Sequence, residues 1–190
     1  NMQVSCILTL RDEGMFMQLG SIRHRYTAKE RAQKQGIGHY IYPRFTRLVD
    51  LNQSEDRNPA DYYRLIMQSE LRNMQIVSDT IDCVKRGRTP VVMTKYKEHA
   101  QKLYDMLQGS ADHVFLLQGG KSLKERAAIR EDMAAVRADE SIILVAIGQY
   151  VGEGFNYPRL DTMLLAMPIS FEGNVEQHAG RLNRDYEGKK

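Results

Sequence analysis

Short runs of consecutive apolar residues, separated by segments with helical spacing, constrain the fold of this chain most. The runs lie at residues 90–93, 113–117, 142–146 and 160–167. Strands that are buried on both faces of a sheet read as continuous apolar runs rather than as alternating ones. Strands separated by helices of about 10–15 residues indicate βαβ units and a parallel sheet. The sequence therefore predicts an α/β fold.

Helix-like segments fill the intervals between these runs, at about residues 60–86, 97–107, 122–136 and 174–184. In the first segment, apolar residues three or four positions apart share one helix face: Met74, Val77, Ile81 and Val84. Asn58-Pro59 is a typical helix start, and Gly87 a typical stop. Ser122 and Glu125 have the spacing of a capping box, which predicts a helix start there.

The composition is that of a globular protein. Of the 190 residues, 42% are apolar and 27% are charged, which excludes collagen-like, coiled-coil and disordered chains. No apolar run approaches the roughly 18 residues of a membrane span, so we expect a cytoplasmic protein without a membrane partner. Cys6 and Cys83 form no recognisable motif and the five histidines are scattered. We therefore expect neither a disulfide scaffold nor a metal site.

Positive charge is concentrated at the start of the chain. Residues 1–49 contain eight Lys/Arg and three Asp/Glu, although the whole chain has a net charge of only +3. This basic excess fits a nucleic-acid footprint and fits a solvated surface equally well.

Ligands of parallel α/β sheets bind at the carboxyl ends of the strands, so the loops after the apolar runs are the candidate sites. The loop Gln118-Gly-Gly-Lys-Ser122 resembles a phosphate loop, but Phe115 stands where that motif needs its first glycine. The alternative is a glycine turn that leads into a helix N-terminus, which can still bind a phosphate through its N–H groups.

Two further segments carry candidate phosphate-binding groups. Three glycines within residues 148–154 let the backbone approach a ligand closely. In the last helical segment, Arg181 and Arg184 are three residues apart and so share one helix face. Two guanidinium groups on one face suit a polyphosphate, and they equally suit a solvated basic helix end.

The order of these segments resembles the second motor domain of superfamily 2 (DEAD/DEAH-like) helicases. Residues 90–95 resemble its motif IV, 146–156 its motif V, and 177–184, Gln-x-x-Gly-Arg-x-x-Arg, its motif VI. The resemblance covers about residues 60–190. Details at 72–73, 87–88, 153–155 and 158–161 look closest to the branch of type III restriction subunits and DNA-repair helicases.

This resemblance implies a RecA-like (P-loop NTPase-like) three-layer sandwich that lacks its own phosphate loop. Residues 51–190 would be the C-terminal RecA-like domain of the helicase, and the basic residues 1–50 a linker or the exit of the first motor domain. ATP with Mg²⁺ would be bound mainly by that first domain. The chain would act in an ATP-dependent DNA helicase or translocase, with RNA not excluded, as a monomer.

The resemblance also implies roles for individual residues. Arg184 would be the arginine finger and Arg181 its partner on the γ-phosphate. Residues near the nucleotide would be Gln177, Glu153, Gly154 and Asn156. Residues facing the nucleic-acid backbone would be Thr94, Lys95, Gly119, Gly148 and Gln149.

Two departures from the family pattern keep alternatives open. Motif V usually has Thr where this chain has Ile147, and Asp where it has Asn156. These losses favour a second hypothesis, a RecA-like module that binds nucleic acid or protein without hydrolysis. A third hypothesis is a self-contained nucleotide kinase or NTPase that uses residues 119–122, against which Phe115 argues.

Overall fold

The computed structural model describes residues 42–46, 58–120, 123–148 and 157–168. All of them belong to one compact unit, Tyr40–Lys190. In chain order the elements are α1 (Pro59–Gln68), α2 (Glu70–Lys85), β1 (Pro90–Thr94), α3 (Lys97–Leu107), β2 (His113–Leu117), α4 (Leu123–Ala135), β3 (Ile142–Ile147) and β4 (Thr162–Leu165). The capping residue Ser122 and the helix expected at 174–184 lie outside the described residues.

The four described strands form one parallel sheet in the order β2-β3-β1-β4. Val145 of β3 pairs with Val92 of β1 on one side and with Leu116 of β2 on the other. Every residue of β1 and β3 is buried. The parallel sheet predicted from the continuous apolar runs is confirmed.

Helices cover both faces of the sheet. Val91, Leu144 and Ala146 point to one face and pack with Met133 of α4. Residues at the alternate positions point to the other face, where they pack against α3 and α2: Val92, Ile143 and Val145. The result is the predicted three-layer sandwich, with α4 on one side and α2 and α3 on the other.

The segment 60–86, predicted as a single helix, is instead two helices joined at Ser69, whose backbone is extended (ψ 103°). The break leaves the Met67 carbonyl free to accept a hydrogen bond from Asn73 Nδ2 at 2.8 Å. The helix start is as predicted, because Asn58 caps α1 by accepting from the Asp61 N–H. The end also agrees, since Gly87 has a positive φ of 69°.

One residue of the apolar face predicted for α2 does not pack inward. Met74 is 59% exposed, whereas two polar residues, Asn73 and Thr80, are completely buried. Val77 and Ile81 pack against the core as expected. The face that meets α3 and the sheet is therefore rotated toward Asn73. Among the described helices, none is long and apolar enough to cross a membrane.

Candidate nucleic-acid interface

Four of the residues predicted to face nucleic acid lie at the carboxyl edge of the sheet. Thr94 is the last residue of β1 and is followed by Lys95. Gly119 lies two residues after β2, and Gly148 directly follows β3. Since β3 lies between β1 and β2, the structure brings these three strand ends together.

The other predicted site residues lie outside the described part of the chain: Gln149, Glu153, Gly154, Asn156, Gln177, Arg181 and Arg184. Their roles stay predictions.

Lys95 stands over two aromatic rings. Its Nζ lies 4.7 Å from the ring centroid of Tyr63 on α1 and 5.7 Å from that of Tyr96. The two tyrosine rings are 5.8 Å apart and inclined by 56°. Lys95 is exposed and both tyrosines are partly exposed. We call Tyr63, Lys95 and Tyr96 the tyrosine–lysine cluster.

A second lysine spans from α3 to the glycine turn after β2. The Lys97 ammonium lies 3.2 Å from the point where a Cβ on Gly120 would be. Gly120 has a φ of +93°, a conformation that side chains disfavour. Lys97 is also the first residue of α3, whose N-cap Tyr96 forms no cap hydrogen bond through its side chain. The positive end of the helix dipole therefore adds to the two lysine charges at this edge.

A buried chain of hydrogen bonds holds the end of β1, where the loop to α3 begins. The Thr94 hydroxyl lies 2.8 Å from Nδ1 of His99, and His99 Nε2 lies 2.9 Å from Oδ1 of Asn73. Because Asn73 donates its Nδ2 to the Met67 carbonyl, its Oδ1 accepts. His99 therefore donates from Nε2 and accepts the Thr94 proton at Nδ1. The chain links β1, α3, α2 and the end of α1.

This arrangement requires a neutral imidazole. His99 is 1% exposed. Burial lowers its pKa to about 4, with smaller contributions from the positive charges of Arg72 and Lys102. Protonation would also place a second N–H against Thr94 where the ring must accept.

Arg72, on the first turn of α2, has a guanidinium nitrogen, Nη1, that is buried and makes no hydrogen bond with the described residues. Burial lowers its pKa, and its charge acts on His99. The side-chain oxygen of Gln118, directly before Gly119, is also buried and has no hydrogen-bond partner in the described part of the chain. Unsatisfied polar atoms therefore lie beside the glycine turn and near His99.

The amino edge of the sheet is different, because its polar groups are paired with one another. Asp161, before β4, accepts a hydrogen bond from the Thr89 N–H, before β1. Asp112, before β2, accepts from the hydroxyl and the N–H of Ser141 at 2.7 Å each, which lowers its pKa. These contacts tie neighbouring strands together and make the amino edge structural.

Sequence reasoning missed Tyr63, Tyr96 and the buried partners His99 and Asn73. Tyr96 could have been suspected because it lies between two lysines in a strand-to-helix loop. Tyr63 had no comparable signal, and Asn73 entered only through the family resemblance at 72–73 and without a contact, because the contacts of both join residues far apart in sequence. In the described part of the chain, no group of three or more His, Cys, Asp or Glu side chains could hold a metal ion.

No protein-family profile matches the chain. Two curated poxvirus proteins do. This chain is 28% identical over 140 residues to transcript termination protein A18 of Fowlpox virus (strain NVSL). That alignment covers 70% of this chain and 29% of the viral protein. This chain is 25% identical over 134 residues to the A18 protein of Myxoma virus (strain Lausanne), covering 68% and 27%. The chain thus spans less than a third of these relatives.

Solved structures share the architecture. The crystal structure of T4 UvsW matches with a TM-score of 0.55 and 19% identity, over 67% of this chain and 25% of that one. The C-terminal part of the Fun30 ATPase domain matches with a TM-score of 0.51 and 16% identity, over 66% and 39%. Together with the parallel sheet and its flanking helices, these matches establish the RecA-like α/β fold that the sequence predicted.

Proposed function

We propose that this chain is the C-terminal motor domain of an ATP-dependent DNA helicase or translocase of superfamily 2. The observation that carries the proposal is the carboxyl edge of a RecA-like sheet, where Lys95 follows β1 and Lys97 reaches the glycine turn at 119–120. Lysine charges next to accessible backbone are suited to the phosphates of a nucleic-acid strand. The glycine turn and Gly148 would line that track with Thr94, Lys95 and Gln149.

The structural and curated relatives support this proposal. One structural match is the C-terminal part of an ATPase domain, and both curated matches are named for transcript termination. The name of the curated matches, transcript termination, favours a nucleic acid as the partner, and that nucleic acid is RNA or DNA. The placement within the branch of type III restriction subunits and DNA-repair helicases belongs to the proposal and rests on the sequence resemblance alone.

The described part of the chain does not fit independent binding of ATP and Mg²⁺. Phe115 lies in the middle of β2, so the loop that follows lacks the first glycine of a phosphate loop. Nucleotide and metal would therefore be bound mainly by a preceding motor domain. This chain would contribute Arg184 as arginine finger and Arg181 beside it on the γ-phosphate. Gln177, Glu153, Gly154 and Asn156 would lie near the nucleotide.

The test is the DNA-stimulated ATPase activity of the full-length natural protein and of its Arg184→Ala variant. An arginine finger is worth about 10³–10⁵ in rate, so the variant should lose at least about a thousandfold while still binding nucleotide. Arg130→Ala, an exposed change on α4, is the matched control and should leave the rate unchanged. An Arg184→Ala variant as active as the parent would refute the assignment of motif VI.

A second candidate, a module that binds nucleic acid or protein without hydrolysis, is favoured by Ile147. This residue stands where the family has a hydroxyl, is 7% exposed and packs in the core under α3. It therefore offers a ligand no polar side-chain group. A full-length protein with salt-sensitive DNA binding, no ATPase activity and no effect of nucleotide on binding would establish this candidate over the first.

A further inference from the structure

We infer that the tyrosine–lysine cluster is a stacking platform for the unpaired bases of a single-stranded nucleic acid. This inference rests on the proposed nucleic-acid-binding role and deepens it by naming the form of the strand and the residues that read it. None of the residues predicted from sequence except Lys95 belongs to the cluster, and Tyr63 lies on a helix outside the resembling motifs.

The geometry combines two aromatic rings with one positive charge. The Tyr63 and Tyr96 rings lie 5.8 Å apart, and Lys95 Nζ lies 4.7 Å and 5.7 Å from their centroids. Proteins that bind single strands without sequence preference combine aromatic rings, on which bases stack, with cationic groups along the backbone. Because Lys95 lies over both rings, a base would stack where its exposed, flexible side chain moves aside, and the displaced ammonium would then meet the adjacent phosphate.

The charges around the cluster are compatible with a polyanion. Lys97, the first residue of α3, extends toward the glycine turn after β2, which adds a second ammonium to the same edge of the sheet. Arg64, next to Tyr63 on α1, is paired with Asp61 at 3.6 Å, so these two charges offset each other. Glu98, in the first turn of α3, adds one negative charge directly after Lys97.

The cluster favours a single strand over a duplex. In a duplex the faces of the bases are covered by their neighbours, whereas an unpaired base exposes a π-face to an aromatic side chain. The platform is also held in place before binding, since Thr94 precedes Lys95 and is hydrogen-bonded to His99 in the first turn of α3. A preorganised site loses less entropy when it binds.

The experiment measures binding of the whole chain to a fluorescent DNA strand of about 15 nucleotides, the upper range for one small binding fold. It compares Tyr63→Leu and Tyr96→Leu, which remove the ring, with Tyr63→Phe and Tyr96→Phe, which keep it. Each Leu variant should weaken binding about fivefold or more, and each Phe variant should stay within about twofold of the parent. Thermal melting checks that every variant is folded.

Tyr62→Leu is the matched control, because Tyr62 neighbours Tyr63 on α1, is 49% exposed and forms no aromatic pair within the described part of the chain. It should bind like the parent. A strand carrying 2-aminopurine reports stacking directly. Its fluorescence should be quenched on binding to the parent and the Phe variants, and less so on binding to the Leu variants.

Lys95→Ala separates the platform from the wider role in nucleic-acid binding. It should weaken binding and lower the slope of log K against log salt by about 0.7 for a single strand, whereas Lys85→Ala at the opposite edge should not. Loss of affinity in Lys95→Ala with full affinity in both Leu variants would overturn the platform and leave the proposed function standing. A parent chain that binds neither single strand nor duplex would overturn both.

Discussion

His99 shows how a single buried side chain can position a functional loop. Its ring connects the end of β1 to α2 through Thr94 and Asn73, each at hydrogen-bond distance. The connection has a fixed direction, because Asn73 uses its N–H group on the Met67 carbonyl. The ring must therefore be neutral, and folding must exclude a proton that the unfolded chain would bind.

This exclusion predicts a pH dependence of stability. Since the pKa of His99 falls from 6.5 to about 4 on folding, its contribution is complete above pH 6.5 and is lost as the pH falls toward 4. The free energy of unfolding should fall by up to about 1.4 kcal/mol per pH unit in this window, roughly 3 kcal/mol in all. Urea unfolding at pH 7.5 and pH 5 measures the part lost above pH 5, about 2 kcal/mol.

The control for this prediction is His99→Gln, which keeps a donor but does not titrate. Asp112, whose pKa is lowered on folding, also loses stabilisation in acid, but it does so equally in both proteins. The two proteins should thus differ in slope between pH 6.5 and 5. Parallel profiles would show that His99 binds a proton as readily in the folded state as in the unfolded chain.

Thr94→Val tests the other end of the same chain of hydrogen bonds. The change keeps the side-chain shape but leaves Nδ1 of the buried His99 without a donor, so it should cost about 1–3 kcal/mol of stability. Thr80→Val is the matched control. Its buried hydroxyl donates only to the Ile76 carbonyl of its own helix, and its loss should cost under about 1 kcal/mol. Chemical denaturation compares them, and equal losses would contradict the role given to His99.

At the scale of elements, two glycine turns permit a matched comparison. Gly109 and Gly120 both have positive φ, 76° and 93°, but only Gly120 has a neighbour at its missing Cβ, the Lys97 ammonium. Alanine at either position should cost about 1–3 kcal/mol through backbone strain. Only Gly120→Ala should also weaken DNA binding, because it displaces Lys97. Denaturation and DNA titration separate the two effects, and equal affinities for both variants would contradict a role for Lys97.

The elements themselves were largely predictable from the sequence. The strand at 113–117 and the helix at 97–107 have the bounds that the sequence predicts. A buried parallel strand and an amphipathic helix each leave a clear pattern of apolar residues. The break at Ser69 was not predictable from that signal. It depends on Asn73, a polar residue that apolar periodicity counts as outward but that hydrogen bonds make inward.

At the scale of the whole molecule, the two edges of the sheet have separate roles. The amino edge is closed by side chains that pair with one another, such as Asp112 with Ser141. The carboxyl edge presents lysines, tyrosines and a glycine turn. The sequence predicted which loops share that edge, because strands of one direction end on one side. It did not predict Tyr63, because strand order says nothing about where α1 packs.

The fold also predicts how the isolated chain responds to nucleotide. With Phe115 inside β2, the segment before Lys121 lacks a phosphate loop's first glycine, so ATP with Mg²⁺ should leave the chain's thermal unfolding unchanged. A ligand that binds only the folded state raises the free energy of unfolding by about 2.7 kcal/mol at 100 times its Kd, so even modest affinity would be visible.

Lys121→Ala provides the control for this experiment, because Lys121 would be the lysine of a phosphate loop at this position. Stabilisation of the parent that disappears in Lys121→Ala would identify a self-contained nucleotide site. That result would contradict the proposal that another domain binds the phosphates, and it would support the hypothesis of a self-contained NTPase.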